Sequence, residues 1–278
     1  MANITAKTVM AFRDRTGLPM MDCKRALIEA DGDEEKAIEI LRKKGIAKMA
    51  EKSAERTTEE GVIAIARGEG SVGLAELLCE SAPVASNPEF LQLADDIATV
   101  VANNPMFGSV EELMAQPSPS KEGFTLQAQL EELYNRIKEV FRVSRFEKFE
   151  GLVSSYLHHD RKTSVLLLLD EGDETIGRDI CMHIAAMRPE GLDENDIDPA
   201  VIENEKRIQL EMMNQDPKNA AKPDSIKEKI IMGKMGAFLA GKCLLSQEFV
   251  KEPGQTVGEF AKKSGLKIRK FVRWTLGK

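Results

Sequence analysis

The chain has 278 residues, of which 42% are hydrophobic, 31% charged and only 5% aromatic. That length can bury a sizeable core over two or three modest domains, which excludes a short peptide or a disulfide-stapled miniature. Lys and Arg number 39 against 46 Asp and Glu, a net charge of −7. The longest aliphatic run, Val165 to Leu169, is far shorter than the ~20 residues that cross a bilayer, and the opening MANITAKTVM has no apolar leader core. A cytosolic protein with no membrane partner is the expectation. Cys23, Cys79, Cys181 and Cys243 lie far apart with no C-x-x-C pair, so they read as reduced, buried thiols. With three histidines in the chain, a His-rich metal site is not expected, nor is a cofactor.

The charge is segmental. Residues 1–56 carry a net charge of about +2, 57–120 about −9, 121–217 about −9 and 218–278 about +9. A basic ending raises the idea of nucleic acid. Its aromatics, Phe238, Phe249, Phe260, Phe271 and Trp274, fall largely at helix-core or strand spacing, so a solvated surface or one facing an acidic protein is favoured over direct RNA readout.

Three short helices are predicted first, over Thr5 to Arg15, Met20 to Ala30 and Asp33 to Lys44. Val9/Phe12, Cys23/Ala26/Leu27/Ala30 and Ala37/Ile38/Leu41 recur at three- and four-residue steps. Thr5 and Asp33 suit N-caps, Thr16-Gly17-Leu18-Pro19 breaks the chain, and Gly45 after Lys43 and Lys44 reads as a stop. Met20 and Met21 are neighbours, and adjacent helical residues point about 100° apart, so both cannot face one core. One is expected on the surface, either without a role or as a soft apolar anchor for a partner helix.

Gly61 to Arg67 and Val72 to Cys79 read as strands joined at Gly68-Glu69-Gly70-Ser71. A helix follows, capped by Asn87 with Pro88 at its first position and a stripe of Phe90/Leu91, Ala94, Ile97/Ala98 and Val101. After the break Gln116-Pro117-Ser118-Pro119-Ser120, a helix from about Leu126 to Val140 leads to strands at Leu152 to His158 and Val165 to Leu169. A helix near Thr175 to Met187 closes the run, and the two strand-strand-helix runs read as related halves. Pro199 to Met213 and Ser225 to Leu245 are helical again, separated by Asn214 to Asp224 with Pro217 and Pro223. Ile226, Ile230, Gly233, Ala237, Ala240 and Leu244 step in coiled-coil rhythm, with Val201, Ile208 and Met212 able to face them.

Three signals imitate catalytic sites. Gly236 to Lys242 fits G-x-x-x-x-G-K, but Cys243 stands where a phosphate loop needs Ser or Thr, and a helix replaces the preceding strand. His158-His159-Asp160 is read as a turn end, because neighbouring strand residues point to opposite faces. His183 lies in an apolar helix and reads as a satisfied core or interface histidine. No nucleophile-base or paired-carboxylate pattern stands out, so binding rather than bond-making is expected.

Phe12 to Leu27 (FRDRTGLPMMDCKRAL) and Ala37 to Gly45 (AIEILRKKG) form a long ordered signature that resembles the N-terminal region of the elongation factor Ts family. The likeness continues through Gly61-Val62-Ile63, Cys79 to Ala85, Tyr156 to His159, Met182 to Ala186 and Thr256-Val257-Gly258, nearly the whole chain. It implies release of nucleotide from the GTPase elongation factor Tu, the implied partner, without any covalent step. By the same resemblance, Arg13, Met20 and Met21 match the positions that dock on the GTPase, and His183 matches a core-helix histidine that meets the same partner. Relatives commonly carry Thr-Asp-Phe-Val where this chain has Ser81-Ala82-Pro83-Val84, so Ala82 replaces an acid and Pro83 an aromatic wedge. Three readings follow. Pro83 and Val84 wedge less deeply; exchange relies more on Arg13, Met20, Met21 and His183; or the cognate GTPase compensates. The second is favoured. Some relatives continue past the point matching Lys278 into a further helical module, whose contacts are not expected here.

The fold expected from pattern and resemblance together is α+β. It has a small N-terminal three-helix, UBA-like bundle, a two-half αβ core with antiparallel sheets, and a projecting antiparallel helical hairpin. The expected boundaries are 1–56 for the docking bundle and linker, 57–125 and 126–198 for the core halves, 199–246 for the hairpin and 247–278 for a return to the second half. The competing functional class is a ribosome- or RNA-associated protein using the basic ending.

Overall fold

A computed structural model of the chain describes residues 4–216 and 222–278. Part of the expected break between the last long helices, residues 217–221 with Pro217, lies outside the described residues. The chain divides into two compact units. One comprises Met1–Glu150, Leu157–Lys162 and Thr275–Lys278; the other comprises Gly151–Tyr156 and Thr163–Trp274. The architecture is α+β, as expected.

The first unit opens with α1 (Ala6–Thr16), α2 (Met20–Glu29) and α3 (Glu34–Glu55), which close around Val9, Phe12, Cys23, Ala26, Leu27 and Leu41. Thr5 and Thr8 form a reciprocal capping box at the start of α1, and Gly17 ends it at φ 66°, a left-handed conformation that glycine adopts without a Cβ penalty. Asp33 accepts the N–H groups of Glu35 and Lys36, both at 3.1 Å, and caps α3.

Gly45 does not stop α3, which runs on to Glu55. The glycine serves a close approach instead. A Cβ there would lie 2.0 Å from Asn135 Oδ1 on α7 (Leu126–Ile137). A lysine pair before a glycine is a weak stop signal, and tertiary packing overrides it here.

Strands β1 (Glu60–Gly68), β2 (Ser71–Cys79) and β3 (Arg142–Glu150) form an antiparallel sheet in that order. As the central strand, β2 is buried along its whole length. A short helix, α4 (Ala82–Ala85), follows it. Helix α5 (Pro88–Asn103), capped by Asn87, lies on β1 and β2, with α6 (Val110–Met114) and α7 completing the core around Phe90, Leu93, Ile97, Leu113 and Tyr134. Gly73 permits the helix-sheet approach, since a Cβ there would sit 2.3 Å from the Ala98 carbonyl.

Strand β3 escapes the sequence pattern. Its RVSRFEKFE is charged on an edge, and only Val143 and Phe149 are buried. Both α7 and β3 fall in the first unit, whose longest stretch runs to Glu150.

In the second unit β4 (Leu152–Leu157), β5 (Thr163–Glu171) and β6 (Lys267–Thr275) lie in that order. Helix α8 (Glu174–Met187) packs on β5, and its start is capped by Asp173, which accepts the Thr175 N–H at 2.6 Å. With α11 (Val257–Lys263), these elements enclose Val165, Leu167, Ile184, Phe249 and Phe260. Helices α9 (Pro199–Gln215) and α10 (Asp224–Lys242) pack through Met213, Ile231 and Met235, flanked by Ile202, Ile230 and Phe238. Ile230 of the expected stripe borders this seam, but its buried residues lie one or two positions on from the expected ones. Ile226, Gly233 and Ala237 are exposed, as are Val201 and Met212. Gly and Ala bury little area, so the larger neighbours take the inward positions.

Candidate partner-binding site

On the bundle, Met20 is 38% and Met21 62% exposed, so both methionines reach solvent and Met21 is the outer one. Ile28, seven residues after Met21 and therefore on the same helical face, is also exposed, and Met10 on α1 adds a further apolar side chain. Arg13 is exposed, and its Nε donates to Asp14 Oδ1 at 2.9 Å. The bundle is seated on α7 by the Gly45–Asn135 contact, by Arg136 packed under Gly17 and by a 3.7 Å ion pair between Asp22 and Lys138. The methionine edge thus has a fixed place in the first unit.

The segment after β2 is built from both of its ends. Cys79 is buried, which pushes its thiol pKa up to about 12, and the protonated thiol donates to the Ser81 carbonyl at 3.3 Å. Ser81 Oγ and N–H both donate to the Glu139 carboxylate, at 2.7 and 3.1 Å. Ala82 and Pro83 are exposed at the tip of α4. Val84 and Ala85 return to the core. Val84, expected among the contact residues, is therefore not on the free surface: it is 9% exposed and packs in the main core of the first unit.

His183 on α8 is 2% exposed. Its Nδ1 accepts the Val250 N–H at 3.3 Å and its Nε2 lies 2.9 Å from Gln247 Oε1. Gln247 Nε2 donates to the Gly241 carbonyl at 2.7 Å, which fixes the amide, so Nε2 of His183 carries the proton. Burial holds its pKa below the ordinary value, and the ring is neutral at pH 7. The satisfied core histidine is the outcome. His183 itself lies in the interior, while Val250, whose backbone it holds, is 57% exposed.

The family model described as Elongation factor TS matches residues 83–278. An elongation factor Ts from Alkalilimnicola ehrlichii is 39% identical over 99% of this chain and 92% of its own length. Those of Dinoroseobacter shibae and Methylococcus capsulatus are 39% and 40% identical over the same shares. The chain belongs to the elongation factor Ts family.

In this member of the elongation factor Ts family the apparent catalytic motifs dissolve into structure. Gly236 to Lys242 lies within α10, with open space around both glycines and no strand before them. His158 and His159 follow β4 in a turn, their ring centroids 4.3 Å apart, closer than alternate strand faces allow. Among the described residues, no group of three or more His, Cys, Asp or Glu could hold a metal ion, and no helix is long and apolar enough to cross a membrane. Several of the basic C-terminal side chains already have carboxylate partners. Arg269 and Lys267 reach Asp170 at 2.6 and 3.7 Å, holding that carboxyl below its usual range, and Lys251 reaches Asp179 at 2.6 Å.

Proposed function

We propose that this chain is the guanine nucleotide exchange factor for elongation factor Tu, promoting GDP release during translation elongation in the cytoplasm. The observation that carries the reading is likeness to elongation factor Ts over 99% of the chain. No bond is made or broken. The physical account is linkage: a partner that binds the nucleotide-free GTPase more tightly than the GDP-bound form weakens GDP by the same factor, and incoming GTP reverses the exchange.

The bundle docks through Arg13, Met20 and Met21, with Ile28 and Met10 widening the apolar patch. Methionine suits this because its unbranched, polarizable chain adapts to a helix groove. The Ala82–Pro83 tip supplies a second, shorter contact. Proline has no aromatic ring to insert, so it presses on the elements around the nucleotide pocket where an aromatic would wedge between them. His183 acts from within by holding the exposed Val250 backbone, and does not touch the GTPase in the resting protein. GDP is held largely through its phosphates and Mg²⁺, so displacing the loops that organise them is an efficient lever.

Release of fluorescent GDP from elongation factor Tu of the same organism tests this directly. The expected outcome is strong acceleration at sub-stoichiometric amounts of this chain. An unchanged release rate contradicts it.

A further inference from the structure

The turn that carries Ala82 and Pro83 is held by two carboxylates exchanged between segments 58 or more residues apart. Glu80 Oε1 accepts the Val140 N–H at 2.7 Å, while Glu139 accepts both the N–H and the hydroxyl of Ser81 at 3.1 and 2.7 Å. Each of two consecutive pairs, Glu80-Ser81 and Glu139-Val140, thus offers a carboxylate to the other pair's backbone. Arg56 closes the arrangement by donating to both oxygens of Glu80, at 3.1 and 2.8 Å. Carboxylate acceptors make these charge-assisted bonds, stronger and more directional than neutral ones.

Ser81 is the N-cap of α4, and a serine there ordinarily accepts an N–H from its own helix. This one makes no such bond; its hydroxyl is turned outward as a donor to Glu139. A single-turn helix without its own cap is unstable alone, since nucleation is unfavourable and short helices are marginal. Its conformation is therefore imposed at the base by Glu139 and at the far end by burial of Val84 and Ala85. Only Ala82 and Pro83 remain outside, and the ring fixes φ at Pro83.

We infer that Glu80 and Glu139 form a carboxylate clasp that pre-sets the Ala82–Pro83 tip, making Glu139 a positioning residue for nucleotide exchange. This rests on the exchange reading above. A tip held in advance loses little freedom when the GTPase distorts around it, and this preorganisation favours the strained complex rather than first docking. The two carboxylates are taken up by Ser81, Val140 and Arg56, so the clasp acts through the tip it holds. In this chain, where proline replaces a bulkier wedge, stiffness of the base compensates for the smaller tip.

The test combines exchange kinetics with hydrogen exchange on the full chain. Glu139→Ala is expected to expose the Ser81 amide to rapid exchange and to lower kcat for GDP release about ten-fold while KM for the GDP-bound GTPase changes less than about two-fold. Glu139→Gln, which keeps one acceptor oxygen, is expected to recover most of the rate, and Ser81→Ala, which removes only the hydroxyl, to lose about three-fold. If Glu139→Ala does not fold, the Glu139→Gln and Ser81→Ala pair carries the test through the same kcat and KM split. Loss of Ser81 protection with kcat unchanged overturns the clasp and leaves the exchange reading standing. A wild-type chain that fails to accelerate release overturns both.

Discussion

The Ala82–Pro83 tip and His183 both correspond to positions that the family resemblance assigns to the GTPase, yet the two are presented in opposite ways. The tip is solvent-facing on a base tied by carboxylates; the histidine is 2% exposed with both ring nitrogens bonded. A residue can therefore serve a contact surface either by forming it or by shaping the backbone that does. The two roles separate experimentally, because removing a surface side chain changes binding alone, whereas removing a buried one changes the fold as well.

The largest effect is expected at His183. Its replacement by Ala leaves a void and strands the Val250 N–H and the Gln247 amide, costing about 3 kcal/mol in thermal or denaturant unfolding. Exchange falls along with stability. An unaltered melting temperature with lost exchange would instead put the imidazole itself at the partner surface.

Gly45→Ala comes next, at about 2 kcal/mol, because the new Cβ meets a buried Asn135. Adding Asn135→Ala should restore part of the loss, and a double variant no better than the single one would break the steric account. Met21→Ala contrasts with both. It should shift stability by less than about 0.5 kcal/mol while raising the half-saturating concentration of the GTPase roughly ten-fold.

The smallest effect is a pH slope. The folded pKa of His183 lies below its unfolded value of 6.5, so the unfolded chain binds the extra proton first on acidification. Its stabilisation is complete above that value and is lost as pH falls toward the folded one, by at most about 1.4 kcal/mol per pH unit. Melting curves of wild type and His183→Gln between about pH 7.5 and pH 5.5 should differ in slope; parallel curves would show that the ring is not buried neutral.

What the sequence displays depends on whether the deciding contact is local. Thr5, Asn87 and Pro88 mark helix starts through bonds within a few residues, so α1 and α5 are legible from pattern. Strand β3 is not, because its pairing with β2 spans about seventy residues and its edge position tolerates charge. Gly45 looks like a terminator until Asn135 is brought against it. Likewise, the exposure of a methionine follows from two of them standing side by side, whereas Ser81 gives no hint of Glu139. The burial of Val84 follows from the helical turn Ala82–Ala85 that carries it into the core, which the four residues alone do not reveal. The sequence leaves His183 as a core or interface histidine, and its burial with bonds to Gln247 and Val250 depends on a segment more than sixty residues away.

The central claim is a difference in affinity, so the most direct measurement is a titration of this chain against elongation factor Tu in its nucleotide-free and GDP-bound forms under one buffer. Binding to the empty form should be tighter by at least about a hundred-fold, an amount equal to the weakening of GDP in the complex. Equal dissociation constants for the two forms would contradict the account.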